Sequence, residues 1–273
     1  MFQTAKPTST RALVFNFLEV TYHASVRKVR QTHGNALLAI GLSLLQSLMF
    51  IAAFYFMFNL MGTRTAAIRG NFTLYLLTGI FLYLTHIQAV SQILKAEGPT
   101  SSMMQHAPMN TLVAILSAAL STLYVKMISL LVILFVIHVL MEPVEIHNWS
   151  GALMMYLLAW GSGCAVGLVF LALKPWAPDF VNIAQMVYIR ANMIASGKMF
   201  VANMLPGFMI NMFDWNPLFH IIDQARGYTF VNYFPHNTNW QYAFYVTIGL
   251  IFLGMLGDFY TRKHASASWD AKR

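Results

Sequence analysis

The stretch DFVNIAQMVYIRANMIASGKMF, from Asp179 to Phe200, carries Asn182, Gln185, Asn192 and Ser196 at helical spacing, with Arg190 near its middle and Lys198 close behind. Amides, a hydroxyl and two cations do not make or break bonds. They recognise anionic oxygen, the guanidinium in a bidentate fork and the ammonium as a point charge. A central arginine in lipid costs at least about 2.5 kcal/mol, so Arg190 must face a water-filled cavity or a protein partner. Two uses follow. Arg190, Lys198, Gln185 and Asn192 line a conduit and meet phosphate or uronate groups, or Arg190 is paired with a carboxylate or helix-end carbonyls while Lys198 snorkels outward.

Other chemistry is poorly represented. No G-x-x-x-x-G-K-[ST] stretch exists, and the SGKM around Gly197 lacks its spacing, so this chain is not expected to bind ATP by that motif. The nine histidines are scattered without an H-E-x-x-H pattern, and no metal site is expected. His86 and His138 read as satisfied helix-packing groups, and Cys164 as a small packing residue. No catalytic residues are assigned, and no nucleic-acid partner is expected. The loop LKAEGPTSSMMQHAPMN is different in kind, because Gly98-Pro99 ends one helix and Pro108 starts another. Between them, a short helix capped at Thr100 or Ser101 would present Met103 and Met104, with Gln105 and His106, as an adaptable docking surface. A solvated turn is the competing reading.

The elements that position these groups are helices in a membrane. Of 273 residues, 58% are hydrophobic and 10% charged, with mean hydropathy +0.59, where a soluble domain carries about 25% charged residues. The alternation of a membrane barrel is absent, so the predicted fold class is an all-α integral membrane protein. Six spans are expected, at Asn35–Leu60, Phe72–Val90, Leu112–Met141, Trp149–Leu173, Phe180–Val201 and Gln241–Asp258. Residues 1–34 form the N-terminal segment, 35–258 the transmembrane domain and 259–273 a tail. No signal-peptide pattern is seen, so the N-terminus is expected to be retained. Val14, Leu18, Tyr22, Val26 and Val29 recur every three or four residues and predict an amphipathic interfacial helix over 13–29.

Charge gives the orientation. Lys6, Arg11, Arg27, Lys28 and Arg30 precede the first span, and Arg262, Lys263, Lys272 and Arg273 follow the last, which puts both termini in the cytoplasm. The loop MEPVEIHNWS has two glutamates and no Lys or Arg and is placed outside. In the fourth span, GSGCAVG from Gly161 to Gly167 offers small residues for close helix contact, with a substrate passage as the alternative.

Four stretches resemble the ABC-2 type permeases, and among them the exporters of capsular polysaccharide, O-antigen and teichoic acid. They are VRKVRQTHGNALLAIGLSLLQSLMF, the Ala107-Pro108 loop, MIASGKMFVANMLP and, most specifically, NPLFHIIDQARGYTF from Asn216 to Phe230. The first span lacks the tryptophan and proline often found there, which leaves the substrate subgroup open. The resemblance implies a re-entrant helical hairpin between the fifth and sixth spans, with bends at Gly197, Pro206 and Gly207, and Asn216 capping a helix opened by Pro217. It also implies a homodimer in a bacterial inner membrane, working with two ABC ATPase subunits that hold ATP and Mg, since no cofactor is expected on this chain. Membrane lipids, a polysaccharide or lipid-linked glycan cargo and periplasmic export partners complete the expected set. A drug or small-lipid permease and a membrane-embedded lipid or glycan transferase are the alternatives.

Overall fold

The computed structural model describes residues 10–33, 35–60, 68–96, 111–140 and 143–264. Among them the chain is helical, with nine α-helices and no strands. They are α1 (Thr10–His33), α2 (Ala36–Leu60), α3 (Phe72–Leu94), α4 (Thr111–Leu140), α5 (Trp149–Leu173), α6 (Pro178–Ala195), α7 (Gly207–Phe213), α8 (Pro217–Thr229) and α9 (Trp240–His264). Five of the described helices, α2, α3, α4, α5 and α9, are long and apolar enough to cross a membrane. At 18 residues and about 27 Å, α6 is the shortest of the six helices that match the expected spans and is not among those five. The final helix continues past the expected end of its span at Asp258 as far as His264.

Helix α3 is the hub. Its side chains are buried without a break from Leu74 to His86, so it has no lipid-facing stripe. α2, α4, α5, α6 and α8 pack around it, while α9 packs on α5 and α1 on α4 and α2. Asn71 starts α3 by accepting from the Leu74 amide at 3.0 Å, and Asn148 starts α5 in the same way through Gly151. The small-residue run in α5 brings two backbones together. A Cβ on Gly167 would stand 2.7 Å from Ile93 and 3.0 Å from the Val90 carbonyl, and one on Gly163 would strike the His86 carbonyl. Those glycines serve helix packing, and Cys164 packs beside a cluster containing Ile93, Ala118 and Leu171.

Helix α1 extends three residues before and four beyond the expected 13–29. Its protein-facing side is Thr21, Ser25 and Val29, whereas Val14, Phe15, Leu18 and Tyr22 remain exposed. Both hydroxyls bond backward to carbonyls one turn earlier, Thr21 to Phe17 and Ser25 to Thr21, both at 2.7 Å, which satisfies them where they meet the bundle. The apolar stripe read from the sequence therefore remains exposed, except for Val29 and the half-buried Val26.

Candidate functional site

Helix α6 lies antiparallel to α3 and is fastened to it by its polar side chains. Gln185 donates to Ser91 Oγ at 3.0 Å, His86 Nε2 and the Tyr188 hydroxyl meet at 2.8 Å, and the Tyr83 hydroxyl donates to the Ile189 carbonyl at 3.1 Å. His86 is fully buried and its Nδ1 lies 2.9 Å from Ser162 Oγ in α5, so one imidazole ties three helices. His138 is also satisfied, its Nδ1 accepting from the Val144 amide at 3.0 Å.

The descent along α3 stops short of its other end. Ser196 closes α6, and Gly197 follows at φ +71°, a conformation that an L side chain rarely adopts. This turn presses on Gly79, where a Cβ would come within 2.5 Å of the Lys198 carbonyl and 2.7 Å of Arg226 Nη2. Gly79 stands seven positions after Phe72, about 10 Å along the α3 axis, so the turn is inside the bundle. The chain then makes a 3-10 turn at Ala202–Met204, α7 after Pro206, and α8 from Pro217.

Backbone carbonyls exposed by such a turn need donors, and Arg226 supplies them. Completely buried in α8, it donates from Nη1 to the Gly197 carbonyl at 3.0 Å and to the Phe200 carbonyl at 2.5 Å, and from Nη2 to the Lys198 carbonyl at 2.7 Å. Its guanidinium carbon lies 4.4 Å from the Tyr75 ring centroid, covering the charge with a π face. The planar fork suits three converging carbonyls in a way that a lysine does not.

The rest of α8 continues the same job. Asp223 accepts from the Tyr233 and Thr238 hydroxyls, at 2.5 and 2.8 Å, binding the segment before α9 to α8. Burial, and then the Asp223 carboxylate, push the Tyr233 phenol up, so it remains a donor. Asn216 caps α8 through the Leu218 amide at 3.0 Å, with Pro217 in the first turn, and donates to Asn192 Oδ1 and the Ala195 carbonyl, each at 2.9 Å. His220 Nδ1 accepts from the Asn239 amide at 2.9 Å, which leaves Nε2 to donate to the Asp214 carbonyl at 2.6 Å. Beside it, Asp214, Trp215, His236, Asn237 and Tyr242 border an open, mixed polar and aromatic cavity of about 690 Å³.

The four residues expected to line one conduit wall are thus separated. Arg190 is exposed and makes no hydrogen bond or ion pair with another described residue. Asn192 is buried against Asn216, and Gln185 is half-buried against Ser91. Lys198 neither snorkels nor finds a hydrogen-bond partner. It is 1% exposed, with Nζ 3.9 Å from the Tyr83 ring centroid, 5.1 Å from Phe54 and 5.6 Å from Phe50. Gly197 has a positive φ, α7 begins at Gly207 directly after Pro206, and Asn216 caps α8. Met103, Met104, Gln105 and His106 lie outside the described residues. Arg226, Asp223 and His220 were not assigned roles from the sequence, although all three sit in NPLFHIIDQARGYTF, the stretch carrying the most specific resemblance.

No family model matches the chain. It is similar to two Escherichia coli proteins, each named polysialic acid transport protein KpsM, at 20% identity over 195 residues, covering 71% of this chain and 75% of each relative. This similarity supports the resemblance to ABC-2 type permeases of the capsular polysaccharide exporters.

Proposed function

We propose that this chain is the membrane-spanning permease subunit of an ATP-driven exporter of a polysaccharide or lipid-linked glycan, working as a homodimer with two separate ATPase subunits at a bacterial inner membrane. The observation that carries the reading is the segment from Gly197 to Phe230, whose two flanks, 197–202 and 216–230, are mostly buried in the bundle on either side of an exposed α7 and are fastened to each other by Arg226. Irregular backbone at membrane depth survives only where protein or water covers it, and a channel-forming subunit has reason to keep such a piece. In this reading α6 is the remaining crossing element and the segment behind it is a re-entrant hairpin. Both termini face the cytoplasm.

Lys198 is shut beneath Phe50 and Phe54 of α2 and Tyr83 of α3. Movement of α2 away from that box on nucleotide closure would uncover the ammonium, and Arg190, exposed on α6, would give the cargo's phosphate or uronate groups a second cation. Glycan leaving the passage would meet the cavity around Trp215 and Tyr242, whose rings can stack on sugar faces. The coupling element is the 100–107 loop with Met103 and Met104, laid in a groove of the ATPase.

The test is coexpression with an ATPase partner and reconstitution in inverted vesicles. ATP-dependent uptake of an anionic polysaccharide, lost when Met103 and Met104 are both replaced by Asp, is the expected result. ATP-dependent movement of a hydrophobic dye or short-chain lipid without glycan uptake would favour the small-lipid permease. That second reading draws on an apolar cavity of about 460 Å³ bordered by Leu77, Leu130, Leu134, Trp149 and Tyr156. Glycan or lipid transfer by this chain without ATP would overturn both in favour of a transferase.

A further inference from the structure

Lys126 sits in the middle of α4, is 1% exposed and has no hydrogen-bond partner for Nζ. Its nearest π face is the Phe81 ring, with the centroid 5.9 Å away. Unlike Lys198, it opens onto space, a cavity of about 280 Å³ enclosed by α1, α2, α3 and α4. Ser43, Gln46, Gln88, Gln92 and Thr122 line that cavity with it. The three glutamine amides make no hydrogen bond to another described residue, so donors remain free on two walls. No carboxylate among the described residues lines the cavity. The described part of α1 to α4 contains a single acidic residue, Glu19, whose side chain is 69% exposed and lies beside His23.

A buried ammonium without a counter-charge is costly unless something supplies one. One cation ringed by amide donors and hydroxyls, with no competing acid, has the chemistry of an anion site and suits phosphate oxygens in particular. The rim shows the route in. Leu42 and Gln46 on α2 are exposed, and Leu38, Leu45 and Met49 continue an exposed apolar surface along the same helix, so the mouth faces the bilayer. Val29, near the end of α1, lines the cavity, which therefore lies at the level of this helix.

We infer that this cavity is a binding site for the phosphate ester of an anionic membrane lipid, with Lys126 as its counter-charge and Gln88 and Gln92 as donors to the remaining oxygens. The acyl chains run out past Leu42 along α2. A bound lipid would brace α1 against α2 and α4 and so couple the interfacial helix to the bundle. The site does not depend on the transport reading, because neither ATP nor cargo takes part.

The experiment uses the full chain in nanodiscs and measures lipid retained after extraction into detergent, by native mass spectrometry. Phosphatidylglycerol is compared with a phosphate-free galactosyl diacylglycerol. The wild type should retain at least ten-fold more phosphatidylglycerol, and Lys126→Met should bring the ratio close to one without changing helical content. Gln92→Leu, which keeps the cation, should lower the ratio several-fold and serves if Lys126→Met does not accumulate. A wild-type ratio near one, or equal retention by wild type and both variants, overturns the proposal. Inorganic phosphate is added in a separate arm. If phosphate alone stabilises the wild type as much as phosphatidylglycerol and displaces it, the site belongs to a soluble anion and the lipid assignment fails.

Discussion

Arg226 and Lys198 are neighbours in space, and both are almost completely removed from solvent, yet they are held in opposite ways. Arg226 makes three hydrogen bonds to carbonyls of one turn. Lys198, whose own carbonyl is one of those acceptors, has its ammonium among three aromatic rings and bonded to nothing. A charge held by three backbone carbonyls is a structural pin, even though its Nε has no hydrogen-bond partner among the described residues. A charge covered only by rings is poised, because cation–π contact is worth about 2 kcal/mol when desolvated and leaves all three donors free for a stronger acceptor. The difference separates the part that shapes the segment from the part that can meet an anion.

The sharpest way to break this comparison is to exchange the cation types. Arg226→Lys keeps the charge but loses the fork, and at least two of the three charged hydrogen bonds go with it, a loss of about 3 kcal/mol. It should lower the thermal midpoint markedly and make the 197–204 segment accessible to protease in detergent. A midpoint unchanged within error would show that the carbonyls do not need Arg226. Next in size is Gly79→Ala, which puts a methyl group against the Lys198 carbonyl and Arg226 Nη2. Overpacking of that kind costs about 1 to 3 kcal/mol, measurable by the same thermal scan, and no loss would mean that the turn can withdraw from α3. The smallest structural effect belongs to Lys198→Met, expected to fold with equal or higher thermal stability while glycan uptake falls. Normal uptake by that variant would end its assignment to cargo.

Hydropathy and turn residues made much of this fold legible. Phe72 as the start of α3 and Trp149–Leu173 as α5 follow from period and hydropathy within short stretches, whereas the turn at Gly197 and the cap at Asn216 came with the family resemblance. Which way a polar side chain points was harder to read. The amides of α6 were visible at helical spacing, but Gln185 and Asn192 are spent on Ser91 and Asn216, partners that only packing brings near. Arg226 was obscured for another reason. Its acceptors are backbone carbonyls, which any sequence has at every position, so nothing in residue type announces that three of them converge. Lys126 lies within a long apolar run and is noticed only when a cavity is found beside it.

The central claim is that the chain after α6 turns back inside the bundle and returns to the outer side. The direct measurement is single-cysteine labelling in intact cells and inverted vesicles, in a Cys164→Ala background, with cysteines placed at Glu145, Asp214, Asn237 and Lys263. The account predicts that positions 145, 214 and 237 react with an impermeant reagent only from outside and position 263 only from the cytoplasm. Labelling of position 214 from the cytoplasmic side, with 145 still outside, would contradict it.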